Sequence, residues 1–237
     1  MSHQCEHEHD HHHDSPPPAT NVAQSLFPFV NTPNVQCLNT NNHGSSDSAA
    51  CFIKSRDNRY DVSKYLESDA DCQMIIHVPF TCVCRVFSLV LRTSRSSSGT
   101  TSPKAIKIFK NFSKNIDFDT LEDSKPQHEV EHPRDVGIDL GGAPQAEITD
   151  ADDSSFVEHH LPRHLFQNTH SLTIFMQSAW EDEEDITRCF YLEMRGESTG
   201  QKQGNNAVPL LTVYESAPNP VDHQKLENEK QSSNLGM

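Results

Sequence analysis

Short runs in which apolar and polar residues alternate, separated by turn-forming stretches, run through the chain and predict strands rather than helices. The runs are Met74–Val78, Val83–Leu91, Ala105–Phe109, Leu172–Met176, Cys189–Met194 and Leu210–Tyr214. No long segment repeats apolar residues at helical spacing, and only Asp61–Ser68 reads as a helical turn. In Val83–Leu91, a period of two places Val83, Phe87, Leu89 and Leu91 on one face and Cys84, Val86 and Val90 on the other. This strand is therefore predicted to be covered on both sides. Lys107 between Ile106 and Ile108 predicts a half-exposed strand. Pro79 and Pro209 are expected at strand ends or edges, where a missing N–H does little harm. Many short strands joined by loops predict an all-β fold, an antiparallel β-sandwich or jelly roll.

The remaining segments read as connections and appendages. Residues 1–20 form a His/Asp-rich leader ending in Pro16-Pro17-Pro18, predicted to be disordered and followed by a stiff spacer. The folded domain is predicted over residues 21–223, with structure beginning at Ser25-Leu26-Phe27. Flexible insertions are expected near 93–103, which is mostly Ser and Thr, and near 139–160, which is rich in Gly, Asp and Ala. Residues 224–237 form a polar tail. These segments account for the low hydrophobic share, 34% of 237 residues, and for a mean hydropathy of −0.67.

Charge narrows the partners. Lys and Arg number 19 against 34 Asp and Glu, a formal net charge of −15. Such a surface repels phosphate backbones and anionic membranes, so neither nucleic acid nor membrane is the expected partner. Protonating all 15 histidines would cancel that charge, which makes it steeply pH-dependent below neutrality. The stretch Met74–Leu91 contains His77, Pro79 and Arg85 and alternates, so it reads as strands and not as a membrane span. The polar start lacks the basic and apolar regions of a secretory signal. The seven cysteines are odd in number and form no framework. Reduced thiols, a cytoplasmic or nuclear location and a monomeric state are expected.

Several clusters carry chemistry worth weighing. His3, His7, His9, His11, His12 and His13, with Cys5 among them, form a flexible chelator suited to weak Zn, Ni or Cu binding, not a fixed tetrahedral site. Cys82 and Cys84 share a strand face and lack the two-residue spacing of redox dithiols, so they read as packing thiols. Glu67, Asp69 and Asp71 alternate, but they lack the turn Gly and the bidentate Glu of a calcium loop and read as loop hydrogen-bond acceptors. His159, His160 and His164 read as a surface loop. Arg195 is expected in a structural ion pair beside a turn made by Gly196, and Trp180 at a core margin. No phosphate-binding loop, nucleophile elbow or His-Glu-x-x-His pattern is present, so no catalytic residues are expected and no cofactor is required.

Taken in order, several segments resemble the PITH domain, the module named for proteasome-interacting thioredoxin-like proteins. They are Ser25-Leu26-Phe27, Val35-Gln36-Cys37-Leu38-Asn39, Tyr65-Leu66-Glu67-Ser68-Asp69-Ala70-Asp71, Val78-Pro79-Phe80-Thr81, Phe109-Lys110-Asn111 and Asp117-Phe118-Asp119. Tyr191-Leu192-Glu193-Met194-Arg195-Gly196-Glu197 and the segment Tyr214 to His223 complete the set. The resemblance implies a galactose-binding-like jelly roll and a non-enzymatic protein-interaction module, with the proteasome as partner. The segment leaving the last strand, with Asn219, Pro220, Asp222 and His223, is the partner-binding candidate. A ligand- or metal-binding jelly roll is the alternative, and a thiol redox enzyme on Cys82 and Cys84 a distant third. About 24 residues precede the domain, against about 100 for a thioredoxin domain. No Trp-Cys-Gly-Pro-Cys occurs, so reductase activity is not implied.

Overall fold

In the computed structural model of the chain, the described residues are 19–43, 50–97, 99–139, 153–181 and 185–202. All of them lie in the first of two compact units, Met1–Gln203. Ten strands are described: β1 (Gln36–Leu38), β2 (Thr40–His43), β3 (Tyr65–Ser68), β4 (Met74–Thr93), β5 (Thr100–Thr101), β6 (Ala105–Lys110), β7 (His128–Glu131), β8 (Val157–His160), β9 (Thr169–Met176) and β10 (Ile186–Lys202). A single six-residue helix, α1 (Phe118–Asp123), joins them among the described residues.

Strand β4, 20 residues long, organises the fold. Its first part pairs with β1 on one side and β9 on the other, and β6 and β7 extend that layer. Its second part pairs with β8 and with β10, and β3 and β2 extend the other layer. One strand thus belongs to two layers, as corner strands of a jelly roll do. All these pairings are antiparallel; only the two-residue β5 runs parallel to β10. The expected all-β antiparallel sandwich is what the chain forms.

Five of the six predicted strands are found, with two joined and several extended. Met74–Val78 and Val83–Leu91 are parts of one strand, β4. Pro79 lies inside it, where pairing with β9 shifts register between Pro79 and Cys84. A missing N–H is tolerated there because the ladder is already interrupted. Residues Tyr65–Ser68, expected in a helical turn, form β3, because Leu66 and Ser68 are buried against the core. Leu210–Tyr214 and Pro209 lie outside the described residues. The segment Thr93–Pro103 turns back through a Ser97–Thr100 bridge and carries β5. Its hydroxyls, Ser94 Oγ to Thr101 O at 2.7 Å among them, satisfy a buried backbone that composition alone would leave in solvent.

The core lies between the layers and is built on Leu66, Met74, Phe80, Phe166, Leu172 and Leu192, each at most 1% exposed. Burying each such side chain contributes about 1.5–3 kcal/mol. A second cluster, Ile75, Phe109, Leu121 and Phe175, lies under α1. Asp117 caps this helix by accepting from Thr120 N at 2.7 Å.

The face assignment within β4 needs correction. Cys82, Cys84 and Val86 point into the core, and so do Leu89 and Leu91. The parity therefore changes at Phe87, an extra residue where the register with β10 shifts between Arg195 and Gly196. This is a β-bulge, invisible to a strict period of two. Gly196 does not make a turn. It sits within β10, and a Cβ there would lie 1.9 Å from the Arg85 carbonyl oxygen. The glycine is needed for the close backbone approach at the bulge.

Candidate functional site

Past the bulge, β8, β4 and β10 lie side by side, and their alternation sorts side chains between two faces. Leu89, Met194 and His159 face inward. Glu158, Ser88, Arg92, Tyr191, Glu193 and Arg195 face outward. Three covering segments close over this outer face: Val22 of a 3-10 turn, Arg56 and Arg59 of a second, and Asp153 to Phe156. Together they enclose a cavity of about 260 Å³.

Arg195 is its central cation. Nε donates to Glu193 Oε2 at 3.1 Å, and Nη1 donates to Glu158 Oε2 at 3.2 Å and to Thr20 Oγ1 at 3.3 Å. Glu158 Oε1 also accepts from Ser88 Oγ at 2.5 Å and from Thr20 Oγ1. Burial alone would raise the Glu158 carboxyl. The hydrogen bonds from Ser88 and Thr20 and the charge of Arg195 outweigh it and hold the pKa below the usual value.

The aromatic wall is backed by a second cation. Arg92 is 0% exposed, donates from Nε to Ser155 Oγ at 2.8 Å and lies 4.8 Å from the Phe156 ring centroid. Phe156 meets Tyr191 edge-on at 5.6 Å. At the mouth, Arg59 donates to Tyr60 Oη and to Asp153 Oδ1, and Tyr60 Oη donates to the same Asp153 oxygen at 2.6 Å. Arg56 is exposed and has no partner among the described residues.

Two oxygens of the lining residues have unspent hydrogen-bonding capacity. Tyr191 Oη and Glu193 Oε1 are fully buried and neither makes a hydrogen bond of ordinary geometry. Burial, next the charge of Glu193 and last a loose contact with its carboxylate push the Tyr191 phenol well above its ordinary range. Buried polar atoms without partners are uncommon in folded proteins and mark places where something else can bind.

The histidine reading is corrected on the opposite face. His159 and His160 lie on β8, and only His164 is exposed in a turn. His159 is 8% exposed because it points between the layers, where its Nε2 lies 2.9 Å from Nδ1 of the fully buried His132. His132 Nε2 meets Thr93 Oγ1 at 3.1 Å. Burial, then the neighbouring ring, lowers His132 to about 3; burial, then His128 and His160, lowers His159 to about 4. Both rings are neutral at pH 7. His132 was missed in the sequence because no local pattern links it to His159.

Other singled-out residues have structural partners. Cys82 and Cys84 lie on one face, buried, with sulfurs 3.8 Å apart, and Cys82 Sγ lies 3.1 Å from Ser198 Oγ. Burial pushes the Cys84 thiol up to about 12. Glu67 pairs with Arg188, Asp69 accepts from Asn41 at 2.6 Å and Asp71 accepts from Asn39 at 2.8 Å. Trp180 packs at the core margin, half-buried, with Nε1 donating to His132 O at 2.7 Å. Among the described residues, no group of three or more His, Cys, Asp or Glu is arranged to hold a metal ion. His3, His7, His9, His11, His12, His13, Asn219, Pro220, Asp222 and His223 lie outside the described residues.

An antiparallel jelly roll whose most elaborate polar constellation is a charged pocket defines a domain of the binding-module class. The sequence profile of the PITH domain matches residues 16–218, and the chain belongs to the PITH domain family. It is 29% identical to a PITH domain-containing protein of Drosophila melanogaster, covering 86% of this chain and 82% of that one. To the Homo sapiens PITH domain-containing protein 1 it is 26% identical, over 89% and 86%. Among solved structures, the CBM32-1 and CBM32-2 domains of Clostridium perfringens ZmpB align over 80% of this chain and 41% of theirs, with 13% identity and a TM-score of 0.47. A mutant lectin-binding domain of lectinolysin complexed with Lewis b aligns over 77% and 100%, with 9% identity and a TM-score of 0.40. As a PITH domain, the chain is a protein-interaction module.

Proposed function

We propose that the chain is a non-enzymatic adaptor of the cytoplasm or nucleus whose partner is the proteasome. The observation that carries this reading is the family match over residues 16–218, which spans the whole described jelly roll and its charged pocket. The chemistry of the thiols supports the non-enzymatic part. Cys84 and Cys189 are held at about 12 by burial, so neither supplies a thiolate at neutral pH. Affinity purification of the full chain from native extract tests the partner. Proteasome subunits enriched well above background are expected, and their absence overturns the assignment.

The leader adds a second, separable property: weak chelation of Zn²⁺ or Ni²⁺ by six histidines within thirteen residues. Isothermal titration calorimetry of the full chain is expected to show binding that deletion of residues 1–14 removes. Heats unchanged by the deletion would rule the leader out.

A further inference from the structure

We propose that the pocket on the outer face of β10 is a receptor for a peptide carboxylate, a chain terminus above all. The proposal deepens the interaction reading and its biological use rests on that reading, while the binding chemistry stands on the pocket itself.

The first argument is charge. The cavity and its backing wall gather Arg56, Arg59, Arg92 and Arg195 against Asp153, Glu158 and Glu193. The lining itself is charge-balanced and the buried Arg92 behind it adds one cation, so in a chain of net charge −15 the pocket is a local exception to the protein's own field. The cations are not equivalent. Arg195 is committed to Glu193 and Glu158. Arg92 is sealed behind Phe156. Arg59 is held on one side by Asp153, which is 76% exposed and contributes little as an ion pair. Arg56 stands at the mouth without a partner among the described residues. A carboxylate spanning Arg56 and Arg59 takes the place of a weak, solvent-exposed contact. It gains the paired, charge-assisted hydrogen bonds that guanidinium forks form best.

The second argument is the pair of unspent buried oxygens. A ligand carrying only an anion would leave Glu193 Oε1 unsatisfied. A peptide terminus brings an N–H next to its carboxylate, and that N–H supplies the donor Glu193 lacks. The Tyr191 phenol, kept protonated, donates to the carboxylate. Val22 and Phe156 give the terminal side chain an apolar surface. A volume of about 260 Å³ suits one or two residues, not a folded surface.

Full-length protein labelled with ¹⁵N, titrated with N-acetyl-Gly-Leu and in parallel with its C-terminal amide, tests this. The free acid is expected to shift backbone resonances of residues 56–60 and 190–196 saturably. The amide is expected to bind at least about tenfold more weakly, the loss of one charge-assisted contact. Arg56→Glu should abolish the response without unfolding the chain, because the side chain is exposed. Tyr191→Phe should weaken it. Equal binding of acid and amide, tighter binding of inorganic phosphate than of the acid, a response untouched by Arg56→Glu, or no response at all would each overturn the proposal. No proteasome is present in the experiment, so its outcome is separable from that of the affinity purification.

Discussion

Glu158 and His159 are consecutive residues of β8, yet they serve two polar regions built on opposite principles. His159 points between the layers into a closed group, His159–His132–Thr93, whose rings are neutral and mutually hydrogen-bonded. Glu158 points outward into an open group, Arg195–Glu193–Glu158, whose members are charged and in which Glu193 Oε1, like Oη of the adjoining Tyr191, lacks a hydrogen bond of ordinary geometry. The inner group cross-links two layers without burying charge, which is the less costly way to place polar side chains in a core. The outer group buries charges and compensates them incompletely, which helps the fold little and leaves capacity for a ligand. One strand alternation separates a structural polar site from a binding one.

Acid gives the largest separation of the two. The folded pKa values of about 3 for His132 and about 4 for His159 lie below the unfolded value of 6.5. The unfolded chain therefore binds more protons below pH 6.5, and stability is lost as pH falls from 6.5 through these values. Each group contributes a slope of about 1.4 kcal/mol per pH unit within its window. The half-buried His77 and His128 are lowered too and act in the same direction. Glu158, also lowered, acts only below about its ordinary 4.5. Urea midpoints between pH 7 and 5 are expected to fall steeply in the parent chain and distinctly less in a His132→Gln, His159→Gln double variant. Parallel curves would show that the buried pair is not the source.

Breaking the outer group is expected to come next. Arg195→Met leaves Glu193, whose side chain is 3% exposed, as an uncompensated buried carboxylate, at a cost of about 3–5 kcal/mol. Adding Glu193→Gln should restore part of that loss. A double variant as unstable as the sum of the singles would mean that the two do not act as a pair.

Gly196→Ala probes the bulge that both groups depend on, since it sets which residues of β4 face inward. The 1.9 Å approach to the Arg85 carbonyl forces the two strands apart, with an expected loss of about 2–3 kcal/mol measured by thermal or urea unfolding. A change below about 0.5 kcal/mol would show that the strands separate freely.

These residues also show what the sequence carries and what it does not. β6, β9 and the middle of β10 were legible because their apolar residues alternate against a single core. β2, β7 and β8 are four residues long and largely polar, so their strand state comes from the neighbour they pair with, not from local preference. The bulge at Phe87 broke the period on which the faces of β4 were assigned. Of the pocket, Arg195 was legible as an ion-pairing residue and Glu193 as part of the family's segment. Arg56, Arg59 and Glu158 were not, since covering loops bring them over β10 from distant positions and no spacing records that. His132 and His159, 27 residues apart, meet for the same reason.

The smallest effect is the sharpest test of the open character of the outer group. Tyr191 is 1% exposed, and removing a well-bonded buried hydroxyl ordinarily costs about 1 kcal/mol. Its Oη has no hydrogen bond of ordinary geometry, so Tyr191→Phe removes a desolvated group and loses only a loose contact with the Glu193 carboxylate. Stability is expected to stay within about 0.5 kcal/mol of the parent or to rise, while the packing of the ring on Phe156 is retained. The inner group supplies the contrast. Thr93 Oγ1 is bonded to His132, so Thr93→Val, similar in shape, is expected to cost about 1 kcal/mol or more. If Tyr191→Phe proved as costly as Thr93→Val in chemical denaturation, the phenol would already be satisfied in the folded chain. The pocket would then be a closed structural site like the one behind it.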